Sequence, residues 1–343
     1  MYKIAIRPVL FLFPAETVHH WVMGFLRICG KIPGITSLMR GMFSVRHPNL
    51  QRTLAGLTFP NPIGLAAGFD KDAIAFEELG ALGFGFVEIG TVTPLAQEGN
   101  PQPRLFRLPA DQALINRMGF NNLGVEAAVG RLQKRSGKVI IGGNIGKNKL
   151  TPNESAVNDY LVCFRALFPV VDYFVINISS PNTPGLRELQ EKEPLTRLLQ
   201  TIQQENSGNS VPKPLFLKIA PDLTPTQVDD IIDITLACKL SGLIISNTTI
   251  SREGLNTSKD ELSAIGAGGL SGLPVFHKST ELVKYVAGKA SKRFAIIASG
   301  GIFSPDDAKV KLAAGADLVQ LYTGFIYEGP GLARSINKAL IKG

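Results

Sequence analysis

The sequence predicts a closed (β/α)8 barrel preceded by a pair of short amphipathic helices, and three observations carry that reading. From about residue 60 onward, eight short apolar runs recur, each ending in glycine or a polar residue and each followed by a helical pattern. The runs are continuously apolar rather than alternating, as strands buried on both faces of a parallel sheet are. Helix-start signals fall between them. A doubly wound open sheet is the alternative arrangement of the same elements.

The first fifty residues stand apart from this rhythm. They carry six cations against Glu16 alone, a net +5 of the chain's formal +8. Two helices are expected there, Ala15–Cys29 and Ile35–Met42, the first opened by Pro14 with Glu16 in its first turn. Trp21, the only tryptophan, lies in the apolar stretch Trp21–Leu26. No run approaches the ~20 apolar residues of a spanning helix. Pro8 and Pro14 interrupt what could otherwise pass for a signal peptide. The pair can pack on the main domain as an arm, or lie on a membrane surface with its rings in the lipid and its cations at the headgroups.

The strands are expected at Ile63–Ala67, Phe86–Gly90, Val139–Asn144, Tyr173–Ile178, Leu215–Ala220, Leu243–Asn247, Ala295–Ser299 and Leu318–Tyr322. Two helices announce themselves at their first residues. Thr224-Pro225 and Ser304-Pro305 each place a capping hydroxyl before a proline at the first helical position, and Asp306 and Asp307 then favour the helix dipole. Two units follow: residues 1–50 as a helical arm and 51–343 as the barrel.

Composition narrows the function. With 45% hydrophobic and 19% charged residues among 343, disorder is excluded. Cys29, Cys163 and Cys238 form no C-x-x-C pair, and His19, His20, His47 and His277 have no metal-ligand spacing, so neither disulfides nor a metal are expected and a reducing compartment is.

Barrel chemistry sits where strands end. Here those ends read Gly68-Phe69-Asp70-Lys71, Gly90-Thr91, Asn144, Asn177 to Asn182, Lys218, Ser246-Asn247-Thr248, Gly300-Gly301 and Tyr322-Thr323-Gly324. One such residue is a turn residue; a whole rim of them is not explained by turns. The glycines at the last two ends, with Gly269–Gly272 as a further loop, suggest a phosphate site. Lys218 stands in an otherwise apolar run and needs an anionic partner or a ligand. For Lys71, snorkelling to the rim or pairing with Asp70 is a credible alternative.

Taken together, Ala67 to Asp72, Asn116-Arg117-Met118-Gly119-Phe120-Asn121-Asn122, Asn177 to Asn182, Leu217 to Asp222, Ser246 to Thr249, Gly268 to Gly272 and Leu321 to Phe325 resemble the dihydroorotate dehydrogenases in order and spacing. The resemblance covers essentially the whole chain. The membrane-associated, quinone-dependent class fits best: it has an N-terminal helical extension, and it uses serine as catalytic base where the soluble class has cysteine.

The resemblance implies an FMN-bearing barrel that oxidises dihydroorotate to orotate in pyrimidine (UMP) synthesis and passes electrons to a membrane quinone. Ser180 would be the catalytic base. FMN contacts would fall on Ala67, Gly68, Lys71, Thr91, Asn144, Asn177, Lys218, Ser246, Gly272, Gly301, Tyr322 and Thr323. Substrate contacts would fall on Lys71, Asn116, Arg117, Met118, Gly119, Phe120, Asn177, Asn182, Asn247 and Thr248. Arg107 and Tyr322 match positions near the quinone end of the flavin, and His19 offers a third polar contact. A peripheral place on the cytoplasmic side of the cell membrane is expected. Ser246 departs from the family's threonine but keeps a hydroxyl, and Phe69 departs from its leucine. Two other readings of the same residues stand beside this one. A flavin-free phosphate-binding isomerase or aldolase explains the glycine loops but not the asparagines. An N-terminus that binds nucleic acid would need cations spread over a face, and here they are interleaved with apolar residues.

Overall fold

The computed structural model describes residues 2–342. Eight parallel strands close into a barrel: β1 (Ile63–Asp70), β2 (Phe86–Val92), β3 (Ile140–Ile145), β4 (Tyr173–Asn177), β5 (Leu215–Ile219), β6 (Gly242–Ile245), β7 (Ala295–Ser299) and β8 (Leu318–Leu321). Each pairs with the next in sequence, and β8 returns to β1 through Val319 opposite Ile63 and Leu321 opposite Leu65. Closure decides against the open sheet. It leaves no strand edge unpaired, and it explains why every strand is buried along nearly its whole length.

The lower end of the barrel is filled by large rings set against small residues. Phe59, Phe86, Tyr173 and Phe216 stack edge to face, with centroids 5.2, 6.4 and 5.5 Å apart along the chain. They fit because a Cβ on Gly64 would lie 2.2 Å from the Phe86 ring and one on Gly142 would lie 2.3 Å from that of Tyr173. Phe59 comes from a hairpin of Arg52–Leu54 and Leu57–Phe59 that covers this end.

The opposite rim departs from simple strand ends. β1 and β2 run past their expected termini because each carries a bulge, at Leu65–Asp70 and at Ile89–Val92. Gly68 (φ +95°) and Gly90 (φ +97°) supply the backbone these bulges require. The result brings Ala67, Gly68 and Thr91 together at the cavity on this rim. Gly269–Gly272, expected as a loop, is instead a strand. It pairs antiparallel with Ala113–Asn116, which pairs with Leu105–Leu108, and this small sheet carries Asn116 and Gly272 to the rim. The capping at Thr224 and Ser304 is present: Thr224 Oγ1 accepts from Gln227 N (3.3 Å), and Ser304 Oγ accepts from Asp307 N (3.2 Å).

The N-terminal helices are α1 (Ala15–Lys31) and α2 (Ile35–Phe43), meeting at 114°. One face of α1 joins the barrel through Val18, Met23 and Leu26. A buried ion pair fixes its start, Arg104 donating to Glu16 Oε1 at 2.8 Å through Nη2 and at 3.0 Å through Nε. The other face leaves Trp21, Phe25, Ile28, Leu38 and Met42 half or more exposed. The arm is thus packed on one side and apolar on the other. Ahead of it an unanticipated turn of helix, Arg7–Phe11, lies against the chain's far end, where Tyr2 donates to Ile326 O at 2.7 Å and Arg7 to Tyr327 O at 3.1 Å. No single described helix is long and apolar enough to cross a membrane.

Candidate active site

The strand ends and the small sheet enclose a cavity of about 1040 Å³, counted to its open mouth. Ala67, Gly68, Lys71, Thr91, Asn177, Lys218, Ser246, Gly272, Gly301, Tyr322 and Thr323 line it, as do Asn116, Met118, Gly119, Phe120, Ser180, Asn182, Asn247 and Thr248.

Two of the residues expected to bind flavin or substrate do not line the cavity. Asn144 lies beneath it, donating to Glu88 Oε1 at 2.7 Å and accepting from Thr91 Oγ1 at 2.6 Å. Arg117 turns outward, its guanidinium over the Phe106 ring at 4.8 Å and bonded to the carbonyls of Ile265 and Pro103. Asn144 therefore supports Thr91, and Arg117 props the small sheet.

The floor is a polar network centred on a residue the sequence reading missed. Glu88 is fully buried, and its carboxylate accepts from Lys218 Nζ (3.5 Å), Asn144 and Gln320 Nε2. The anionic partner that Lys218 needs is thus supplied from across the barrel lumen. The same test applied to Phe86-Val-Glu-Ile and Leu318-Val-Gln-Leu, a polar residue inside an apolar run, would have picked out both Glu88 and Gln320. From Asn144 the network continues to Asn177 (Nδ2 to Asn144 Oδ1, 3.2 Å), Ser179 and Asn247, whose Nδ2 donates to Ser179 Oγ at 2.9 Å. Gln320 lines the cavity, and its Oε1 is buried without a partner.

Ser180 is buried in the loop after β4. Its Oγ accepts from Asn182 N at 3.2 Å, and among the described residues no histidine or carboxylate touches it. Arg187 braces this loop, donating to Ser179 O at 3.1 Å and to Thr248 O at 3.1 Å while paired to Asp222 at 3.2 Å. Further along the same loop Thr183 is buried, and its hydroxyl has no partner. Asn182 Nδ2 donates to Asn116 Oδ1 at 3.0 Å, tying the loop to the small sheet.

Lys71 bonds to Asn121 rather than to Asp70, whose carboxylate caps the backbone at Ile74 and Ala75 (2.7 and 2.9 Å). Burial pushes the Lys71 ammonium down to about 7, Arg104 adding to the shift while Glu16 and Asp72 oppose it. At the arm side, the His19 ring stands 5.2 Å from Phe69, which in turn stands 5.9 Å from Tyr322. Burial, reinforced by Lys71 and His20, pushes His19 down to about 4, so its imidazole is neutral. Arg107 belongs to a different cluster, stacked over Phe11 at 4.5 Å and donating to Phe13 O at 2.7 Å. The structure brings His19 and Tyr322 to either side of Phe69 and leaves Arg107 with the first helical turn.

The sequence profile of the dihydroorotate dehydrogenase family matches residues 49–343. A dihydroorotate dehydrogenase (quinone) of Christiangramia forsetii is 57% identical over 343 residues, covering 100% of this chain and 99% of that protein. One of Rhodococcus opacus is 48% identical over 342 residues, covering 100% and 94%. Among solved structures, DHODH from Eimeria tenella in complex with ferulenol superposes with a TM-score of 0.86 at 39% identity, over 95% of this chain and 90% of that one.

Proposed function

The chain belongs to the dihydroorotate dehydrogenase family and is a quinone-dependent oxidoreductase of dihydroorotate; from that premise we propose that its barrel carries FMN, serves pyrimidine synthesis and works at a membrane surface through residues 1–50. The observation that carries the cofactor reading is the floor of the cavity. A buried cation, four asparagine carboxamides and an unpartnered Gln320 oxygen surround a space bounded at one end by glycines. At that end Gly300 and Gly301 line the cavity, and a Cβ on Gly301 would meet Phe276 at 2.5 Å, so only glycine lets this turn pack on the helix start; this turn is the cradle we assign to the phosphate. Bound among these residues, FMN would supply the hydride-accepting chemistry between dihydroorotate and quinone.

The chain's own residues do the rest. Lys218 holds a positive charge at the floor, and Glu88 keeps it in place. The amides of Asn116, Asn177, Asn182 and Asn247 offer donors and acceptors to a flat ring of alternating C=O and N–H groups. Lys71 meets the substrate carboxylate. Ser180 takes the proton from the ring carbon beside the carbonyl. Its burial excludes water, and Thr183 in the same loop offers a second hydroxyl to carry the proton away.

Lys71 makes orotate binding depend on pH. An ammonium that titrates near 7 in the free protein binds a carboxylate only when protonated, so affinity is greatest below that pH and declines above it. The decline is up to about tenfold per pH unit, the limit for one linked proton. Orotate titrations from pH 6 to 9 should show this decline in wild-type protein and a flat profile in Lys71→Gln. A wild-type profile as flat as the variant's would remove the carboxylate from Lys71.

The exposed apolar face of α1 and α2, set among Arg27, Lys31 and Arg40, supports the membrane reading. The purified chain should be yellow, bleach with dihydroorotate and recover with quinone. Without residues 1–45, bleaching should persist, recovery with a long-tailed quinone should slow strongly, and binding to anionic vesicles should drop. Full-rate recovery in the folded truncation would make the arm purely structural, and a colourless full-length chain would end the flavin reading.

A further inference from the structure

Lys311 lies in the helix α4 (Pro305–Ala313) that follows β7, and it is 0% exposed. Its ammonium is surrounded by neutral groups. It donates to Phe276 O at 3.0 Å and to Ser279 Oγ, and sits 4.7 Å from the Phe276 ring. Among the described residues no carboxylate pairs with it. Asp307, one turn earlier, is the nearest opposing charge, and its Oδ2 is bonded to Phe303 N at 2.9 Å. A buried cation held only by neutral acceptors is costly, and a methionine of similar length would fill the space without that cost. Without a counter-charge, burial pushes the ammonium down to about 7, with Asp307 opposing the shift; a counter-charge arriving with a ligand would hold it protonated.

The two groups that hold Lys311 also back the glycine end of the cavity. Phe276 opens the 15-residue helix α3 (Phe276–Ala290), and its backbone N lies 2.9 Å from where a Gly301 Cβ would be. Ser279 Oγ donates to Gly300 O at 3.4 Å. Gly300 and Gly301 line the cavity. One residue thus separates a buried positive charge from the cradle, and the first turn of a helix points the same way.

We propose that Lys311 is the buried counter-charge of the flavin phosphate, a positioning residue that acts through Phe276 and Ser279 to favour phosphorylated over unphosphorylated flavin. The proposal rests on the FMN reading above. It differs from a structural role in one measurable respect: riboflavin has the same ring system but no phosphate, so it does not feel this charge.

The test compares FMN with riboflavin on the purified flavoprotein, each loaded by exchange and its affinity read from flavin fluorescence on dilution. In Lys311→Met the preference for FMN should narrow by about 10- to 100-fold, and riboflavin affinity should move by less than about twofold, since a charge acts on charge through space. Lys311→Gln, which keeps a donor for Phe276 O and removes only the charge, should narrow it likewise and covers the case in which Lys311→Met does not fold. An undiminished preference in either folded variant overturns the role of Lys311, as does equal weakening of both flavins or failure of both variants to fold with FMN in excess. A wild-type protein that holds riboflavin as tightly as FMN overturns the phosphate reading itself.

Discussion

Ser180→Ala should slow flavin reduction by dihydroorotate about 10²–10⁴-fold, the usual cost of removing a general base, while flavin content and orotate affinity stay as they are. The expectation follows from the emptiness of the surroundings. Ser180 Oγ has a backbone N–H at 3.2 Å, and no histidine or carboxylate among the described residues replaces it. Orotate affinity should survive because the side-chain amides proposed to meet the ring come from other residues, and Arg187, paired to Asp222, still holds Ser179 and Thr248 beside them. Stopped-flow absorbance after mixing with dihydroorotate measures the rate directly. Wild-type speed in the variant would mean that the proton leaves by another route, and loss of orotate binding would mean that Ser180 is a binding residue.

Lys218→Ala should cost about 3–5 kcal/mol of stability, as breaking one half of a buried ion pair does, and should empty the flavin site or make the flavin harder to reduce. Glu88 is the reason. Its carboxylate is 0% exposed and would keep only Asn144 and Gln320 as partners. Adding Glu88→Gln to the lysine variant should restore much of the stability but not the reduction of flavin. Urea midpoints for the single and double variants separate the two effects. A single variant as stable as wild type, with its flavin content and reduction unchanged, would leave Lys218 as a rim residue.

The barrel was legible because its strands are continuous apolar runs, a pattern that survives without knowledge of partners. What lay beyond it depended on partners. β1 and β2 were expected to end at Ala67 and Gly90, because glycine and polar residues usually terminate strands; here they form bulges that carry the strand onward. The small sheet was not legible because Ala113–Asn116 and Gly269–Gly272 are short and far apart in sequence. In the site, Lys218, Glu88 and Gln320 each stand out as a polar residue in an apolar run, yet nothing local says that their strands face one another across the lumen. Arg117 and Asn144 were assigned by motif. A motif fixes position along the chain; that Arg117 lies over Phe106 and Asn144 bonds to Glu88 is read only from the structure.

The Glu88 junction also bears on how this chain must come into being. Its partners Lys218 and Gln320 stand 130 and 232 residues further along the polypeptide. Contacts of such span are entropically late, since a long loop must close before they form. During vectorial synthesis β2 emerges well before β8, so the carboxylate waits hydrated until the ring is nearly whole. The catalytic floor is therefore all-or-none with the fold: no fragment that stops before residue 320 can assemble it.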